Sequence, residues 1–152
     1  AQWGTGSSAM FRNAFNEFPW YTEGVSGFVD AADVATAMVL LMKSDIAAER
    51  YILSAENKSY RSIFTEMAIA FGKKPPSRKV NPTLAAIVWR IERIKGWITG
   101  KEALLTKETA ETAQQKVNFD NSKILNALPG FRFKPVSQTI SECCAGYVKM
   151  MN

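Results

Sequence analysis

Gly27-Phe28-Val29-Asp30-Ala31-Ala32-Asp33-Val34-Ala35 is the stretch whose reading decides the fold. Gly27 to Val29 favours an extended strand. Asp30 is then placed to accept from the first-turn amides of a helix, and Asp33, three residues on, favours that helix's positive end. From Val34 to Met42 the run is apolar on nearly every side, the pattern of a buried helix. Two carboxylates at this spacing also suit a metal or acid/base site, yet a cap and a first-turn acid account for both without one.

Upstream, Trp20-Tyr21 reads as a second short strand, with a turn at Glu23-Gly24 between the two. Before it, Met10, Phe11, Ala14, Phe15 and Phe18 recur at helical spacing, so Ser7 or Ser8 is expected to cap a helix that stops before Pro19. The Gly/Ser loop ahead of it lacks the lysine and spacing of a phosphate-binding loop. Downstream, Arg50-Tyr51-Ile52-Leu53-Ser54 has the apolar run of a strand covered on both faces, as in parallel sheets. Glu56-Asn57-Lys58 reads as a turn. Ser59 then caps a helix with Ile63, Phe64, Met67, Ala68 and Phe71 on one face, ended by Gly72. Strands alternating with helices in this order predict an α/β fold, mostly helical with few short strands.

The remainder reads more weakly. Pro75 to Asn81 looks like a loop, and Asn81 to Ile98 like a basic amphipathic helix with Pro82 in its first turn. Val117 to Phe119 is a candidate strand, Asp120 and Asn121 can cap Ser122 to Leu128, and Ser137 opens a terminal helix.

Composition removes most catalytic chemistry. The 152 residues contain no histidine, and the two cysteines, Cys143 and Cys144, are adjacent. Ser-His-Asp triads, Cys-His pairs and His-rich metal sites are therefore excluded. Adjacent cysteines rarely bridge each other, so both read as reduced thiols of a cytoplasmic protein, on a helix face with Ile140, Tyr147 and Met151. The net charge of +5 is uneven: Lys73 to Lys101 carries eight cations against Glu92, and the rest of the chain eleven against thirteen carboxylates. So confined an excess argues against a nucleic-acid-binding surface. It leaves open a module that uses helix 81–98, with Trp89 and Trp97, on an anionic membrane or acidic partner.

Three stretches, in order, resemble one known family. Phe28-Val29-Asp30-Ala31-Ala32-Asp33-Val34-Ala35 is similar to the F-V-D-V-x-D-V-A signature of the extended short-chain dehydrogenase/reductase superfamily, in the branch of NAD-dependent epimerase/dehydratases and dihydroflavonol-reductase-like enzymes. Arg50-Tyr51 through Asn57 and Ser59 resembles that family's R-Y-x-L-x-x-x-N-x-(S/T), and Asp120, Ser122, Lys123 with Leu128 to Phe131 its D-x-S-K-x-x-x-x-L-G-F. Trp3-Gly4 resembles the segment just after the family's G-P-G turn. The likeness spans nearly all of residues 1–152 but only the C-terminal, substrate-binding part of a Rossmann-type enzyme.

The resemblance implies a parent that uses NAD or NADP on a small-molecule substrate, with the N-terminal nucleotide-binding domain absent from this sequence. Neither the family's Gly-rich dinucleotide turn nor its Tyr and Lys four residues apart occurs here, so the chain is expected to bind no cofactor and to be inactive alone. Where nucleotide-sugar epimerases carry Arg-Asp, this sequence has Ser26-Gly27, which favours a ketone or alcohol reductase over an epimerase parent. Substrate-pocket candidates implied by the family are Trp3, Ser7, Met10, Phe11 and Trp97, each of which also suits a core position. With the rest of the sheet missing, the Tyr51 to Leu53 strand and the Val34 to Met42 helix are expected to drive homo-oligomer formation through residues 28–54.

Overall fold

A computed structural model describes residues 6–80 and 114–151. In chain order the elements are α1 (Ser8–Phe15), β1 (Trp20–Tyr21), β2 (Val25–Phe28), α2 (Ala31–Met42), β3 (Glu56–Ser59), α3 (Tyr60–Ala70), β4 (Arg78–Lys79), α4 (Ser122–Ala127) and α5 (Val136–Met151). Helix accounts for about 47% of the described residues and strand for about 12%, so the α/β fold is indeed mostly helical.

The strands form two separate pairs rather than one sheet. β1 and β2 flank the expected turn but do not pair with each other: β1 runs parallel to β4, and β2 antiparallel to β3. Lys116 adds a parallel bridge to Val25, one residue before the strand expected at Val117 to Phe119.

Two apolar clusters hold the helices. Ala14 of α1, Ile63 and Met67 of α3, and Val136, Ile140 and Cys144 of α5 form the first, with Met10, Phe11, Phe28 and Phe71 packed against it. Phe15, Phe71 and Tyr147 extend it as a ring triad with centroids 5.3 to 5.5 Å apart. Ala37 of α2, Ile124, Leu128 and Phe131 form the second cluster, with Leu41, Tyr51 and Leu53 against it.

The starts of α2 and α3 and the end of α3 follow the sequence, whereas Ser7, which precedes α1, makes no side-chain capping bond. Asp30 Oδ1 accepts from Ala32 N–H at 2.8 Å, and Ser59 Oγ from Ser62 N–H at 3.1 Å. Gly72, at φ 66°, closes α3 with a paired turn in which its own N–H reaches Ile69 O and Lys73 N–H reaches Ala68 O.

Five expectations are corrected. Residues Tyr51 to Ser54 belong to no strand, because within the described residues no neighbouring strand lines up to complete a ladder there. The strand starts at Glu56, where a turn was expected: its polar residues suit an outer strand whose side chains bond sideways to neighbouring segments. The Pro75 to Asn81 stretch is not all loop, since Arg78 and Lys79 pair with β1. Finally α2 is not buried all round. Ala37 is fully enclosed, while Met38, Val39, Leu40 and Met42 are 56, 48, 38 and 83% exposed. Met151, expected in the core, is also exposed. The expected helix at 81–98 lies outside the described residues.

Gly27 marks a close approach of β2 to neighbouring segments. A Cβ there would lie 2.5 Å from Ser54 Oγ and 2.7 Å from Phe119 Cδ2. The same Ser54 hydroxyl is buried and meets no hydrogen-bond partner among the described residues. Gly27→Ala is therefore expected to destabilise the fold by about 1–3 kcal/mol in urea unfolding. Ser54→Ala should leave stability unchanged or raise it, because it removes a hydroxyl that is desolvated without compensation. A G27A/S54A chain should recover part of the loss, and full additivity of the two changes would show that Ser54 is not what Gly27 makes room for.

Candidate functional site: the carboxylate cluster between two helix starts

The strand-to-helix junction at Phe28 to Asp33 lies against the start of α5. Asp30 serves both elements with one carboxylate. Oδ1 caps α2, while Oδ2 accepts from Lys134 Nζ at 2.9 Å and from Thr139 Oγ1 at 3.0 Å. Asp33 Oδ2 accepts from Lys134 N–H at 2.7 Å, and Glu56 Oε1 from Val136 N–H at 2.8 Å. Glu142, one turn further along α5, completes the cluster with Lys134 Nζ at 2.8 Å. Carboxylates are favoured here because two helix N-termini present their unpaired amides to them.

The electrostatics favour the charged forms of Asp30, Lys134 and Glu142. Hydrogen bonds from Lys134 and from Ala32 hold the Asp30 carboxyl below its ordinary value, with Thr139 adding to the effect. Bonds to Glu142 and then Asp30 drive the Lys134 ammonium well above its usual range. Neither group changes charge near neutral pH, so the cluster orients backbone rather than moving protons. The cysteines are likewise quiet: burial pushes the Cys144 thiol up to about 12, and burial with the nearby Asp30 and Glu142 charges raises that of Cys143.

A second group of residues singled out in the sequence gathers around β2 and β3. Asn57 bonds the backbone of Phe119 twice, donating to its carbonyl and accepting from its N–H, both at 2.9 Å. Asn121 Nδ2 donates to Ser54 O at 2.6 Å. Asp120 accepts from the N–H and hydroxyl of Ser122, starting α4, and Lys123 pairs with Glu49 at 2.6 Å while lying over the Tyr51 ring. Phe28 packs edge-on to Tyr60 with centroids 5.9 Å apart.

The pocket candidates are not brought together with these groups. Met10 and Phe11 pack on the first apolar cluster, Ser7 is exposed at the head of α1, and Trp3 and Trp97 lie outside the described residues. Lys134, Thr139, Glu142 and Glu56 were missed by sequence reasoning. Lys134 stands more than 100 residues from Asp30, and no local periodicity links them. The one available signal was Lys134-Pro135 directly before a helix start.

No family model and no curated protein matches the chain. Among solved structures it is similar to the crystal structure of gox2253, with a TM-score of 0.73 and 23% identity over 96% of this chain. That likeness shows the fold. The chain spans only 44% of that protein's length.

Because the folded Asp30 carboxyl sits below its ordinary 3.8, its contribution is present above that value and is lost as pH falls toward the lowered one. Asp30→Ala is expected to cost about 1–3 kcal/mol at pH 7, from the lost cap and the bonds to Lys134 and Thr139. Thermal unfolding across pH should show the gap between wild type and D30A narrowing below the ordinary carboxyl value. A gap that stays constant down to strongly acid pH would mean that the charge on Asp30 plays no part.

Proposed function

We propose that this chain is the C-terminal, substrate-binding part of an NAD(P)-dependent oxidoreductase of the extended short-chain dehydrogenase/reductase type, with a ketone or alcohol as substrate. One observation carries the reading: the three sequence stretches that resemble the family converge on each other in space. Phe28 O of the first accepts from Ala55 N–H of the second at 2.8 Å, Gly27 just before the first meets Ser54 of the second and Phe119 beside the third, Asn57 holds Phe119, and Asn121 of the third holds Ser54. Motifs far apart in sequence that build one junction are more informative than any of them alone. That the chain matches under half of a longer protein of the same fold supports its being one part of a larger enzyme.

In this reading the chain's residues shape and cover the substrate, with the head of α1 at Ser7, Met10 and Phe11 nearest to it. They do not fit a dinucleotide: the sequence lacks a Gly-rich turn whose amides approach a pyrophosphate, and no Tyr is followed by Lys four residues on. Coenzyme binding and proton transfer belong to the missing domain. The open face of α2, Met38, Val39, Leu40 and Met42, together with Ile52, is where that domain's sheet would pack. Adjacent reduced thiols fit a cytoplasmic setting.

The coding sequence ahead of Ala1 tests the proposal directly. It is expected to encode a Gly-rich turn after a first strand and a Tyr and Lys spaced by three residues, and their absence would contradict the reading. Calorimetry on the 152-residue chain should detect no sub-micromolar NADH or NADPH binding. Exposed side chains of this size are each worth roughly 1.5–3 kcal/mol when buried, so in isolation the chain should self-associate through residues 28–54. Light scattering should report a dimer at micromolar concentration that Met42→Glu disperses; a wild-type monomer would contradict this arrangement.

A further inference from the structure

Asn57-Lys58-Ser59 has the Asn-x-Ser pattern to which an N-linked oligosaccharide is transferred. Among the other asparagines of the sequence, Asn81 alone has Ser or Thr two residues on, and the intervening Pro82 blocks transfer there. In the folded chain the Asn57 acceptor nitrogen is already committed. Nδ2 donates to Phe119 O, and Phe119 N–H donates to Asn57 Oδ1, both at 2.9 Å. The two bonds use one edge of the amide, so the hydrogen that Nδ2 donates is the one on the same side as Oδ1. Phe119 has little room to retreat: Gly27 is the register partner of Asn57, and a Cβ on it would lie 2.7 Å from Phe119 Cδ2.

We propose that Asn57 is an N-linked glycosylation site that the unfolded chain offers and the folded chain withdraws, so that the glycan and this fold exclude each other. In the transfer, Nδ2 attacks C1 of a lipid-pyrophosphate-linked oligosaccharide. The N–C1 bond forms as the C1–O bond breaks, the lipid pyrophosphate leaves with the electron pair, and one Nδ2 proton passes to the transferring enzyme. The product is a secondary amide, and its trans form sets the sugar on the same side as Oδ1, in the place of the hydrogen that meets Phe119 O. The cis alternative is populated roughly 70-fold less. The remaining N–H points away from Phe119, and the sugar stands where the Phe119 carbonyl now lies. Order of synthesis favours the glycan. Phe119 follows Asn57 by 62 residues, which take about 3–12 s to make, so Asn57 meets the transferring enzyme before its partner exists. The fold is thereby limited to compartments without such transfer, whether or not the parent is the enzyme proposed above.

Expression of the 152-residue chain in yeast tests this, once in the cytosol and once behind a cleavable signal peptide. On the secretory route the wild-type chain should gain an increase in apparent mass that endoglycosidase removes. It should also be cleaved by added protease about 10-fold faster than the cytosolic chain, because proteolysis follows the population of the open form. Ser59→Asp removes the acceptor pattern and keeps a capping carboxylate where Ser59 Oγ now accepts from Ser62 N–H. Ser59→Asn removes it with a neutral cap, and serves if the Asp variant does not fold in the cytosol. The secreted variant should show no mass increase and the protease resistance of its own cytosolic form. Three results would overturn the proposal: a secreted wild-type chain without glycan, a glycosylated chain as resistant as the cytosolic one, or secreted variants as sensitive as the secreted wild type. The last would place the cause in the compartment and not in the glycan.

Discussion

One carboxylate, that of Asp30, joins two helices that the chain supplies more than 100 residues apart. Its first oxygen satisfies an amide of α2 that has no partner within the helix, and its second holds Lys134 and Thr139 at the start of α5. Asp33 and Glu56 add bonds to the backbone of Lys134 and Val136. The path of residues 134–136 is thus set by side chains from the β2–α2 junction, α2 and β3, and that path seats Val136 and Ile140 in the core beside Ile63 and Met67. A break at Asp30 reaches the packing through α5, not only through a lost cap.

The second constraint is steric. β2 and the segment after α2 approach so closely at Gly27 that no side chain fits, and Phe119 closes the third side. The strand that follows Ser54 is polar because its side chains work laterally: Glu56 on α5, Asn57 on Phe119, Lys58 on Glu66. Hydrophobic alternation is the signature of a strand with one face on a core, and β3 has no such face to display.

This explains which parts were legible in the sequence. Caps and stops depend on residues one to five positions apart, so Asp30, Ser59 and Gly72 read correctly. The α2 helix misled for the opposite reason. Its apolar surface predicts burial on nearly every side, yet among its residues Ala37 is fully enclosed while Met42 stands 83% exposed. Tyr51 to Leu53 shows the same effect at backbone level: an apolar run suited to a central strand joins no ladder among the described residues. The proposed junction was legible only as three separate motifs. Lys134, which ties the first of them to α5, left no local pattern at all.

Function follows from this division of labour. Asp30 and Lys134 are held in their charged forms by the hydrogen bonds between them, so they serve as framework, and under the proposed function the apolar face of α2 would meet a further domain. The role given to Asp30 is tested most directly by a double-mutant cycle in urea at pH 7 between Asp30→Asn and Lys134→Met. If the Asp30 to Lys134 contact ties α2 to α5, the paired variant will lose clearly less stability than the two single losses together. Strictly additive losses would contradict it, and would leave Asp30 as a local cap of α2 alone.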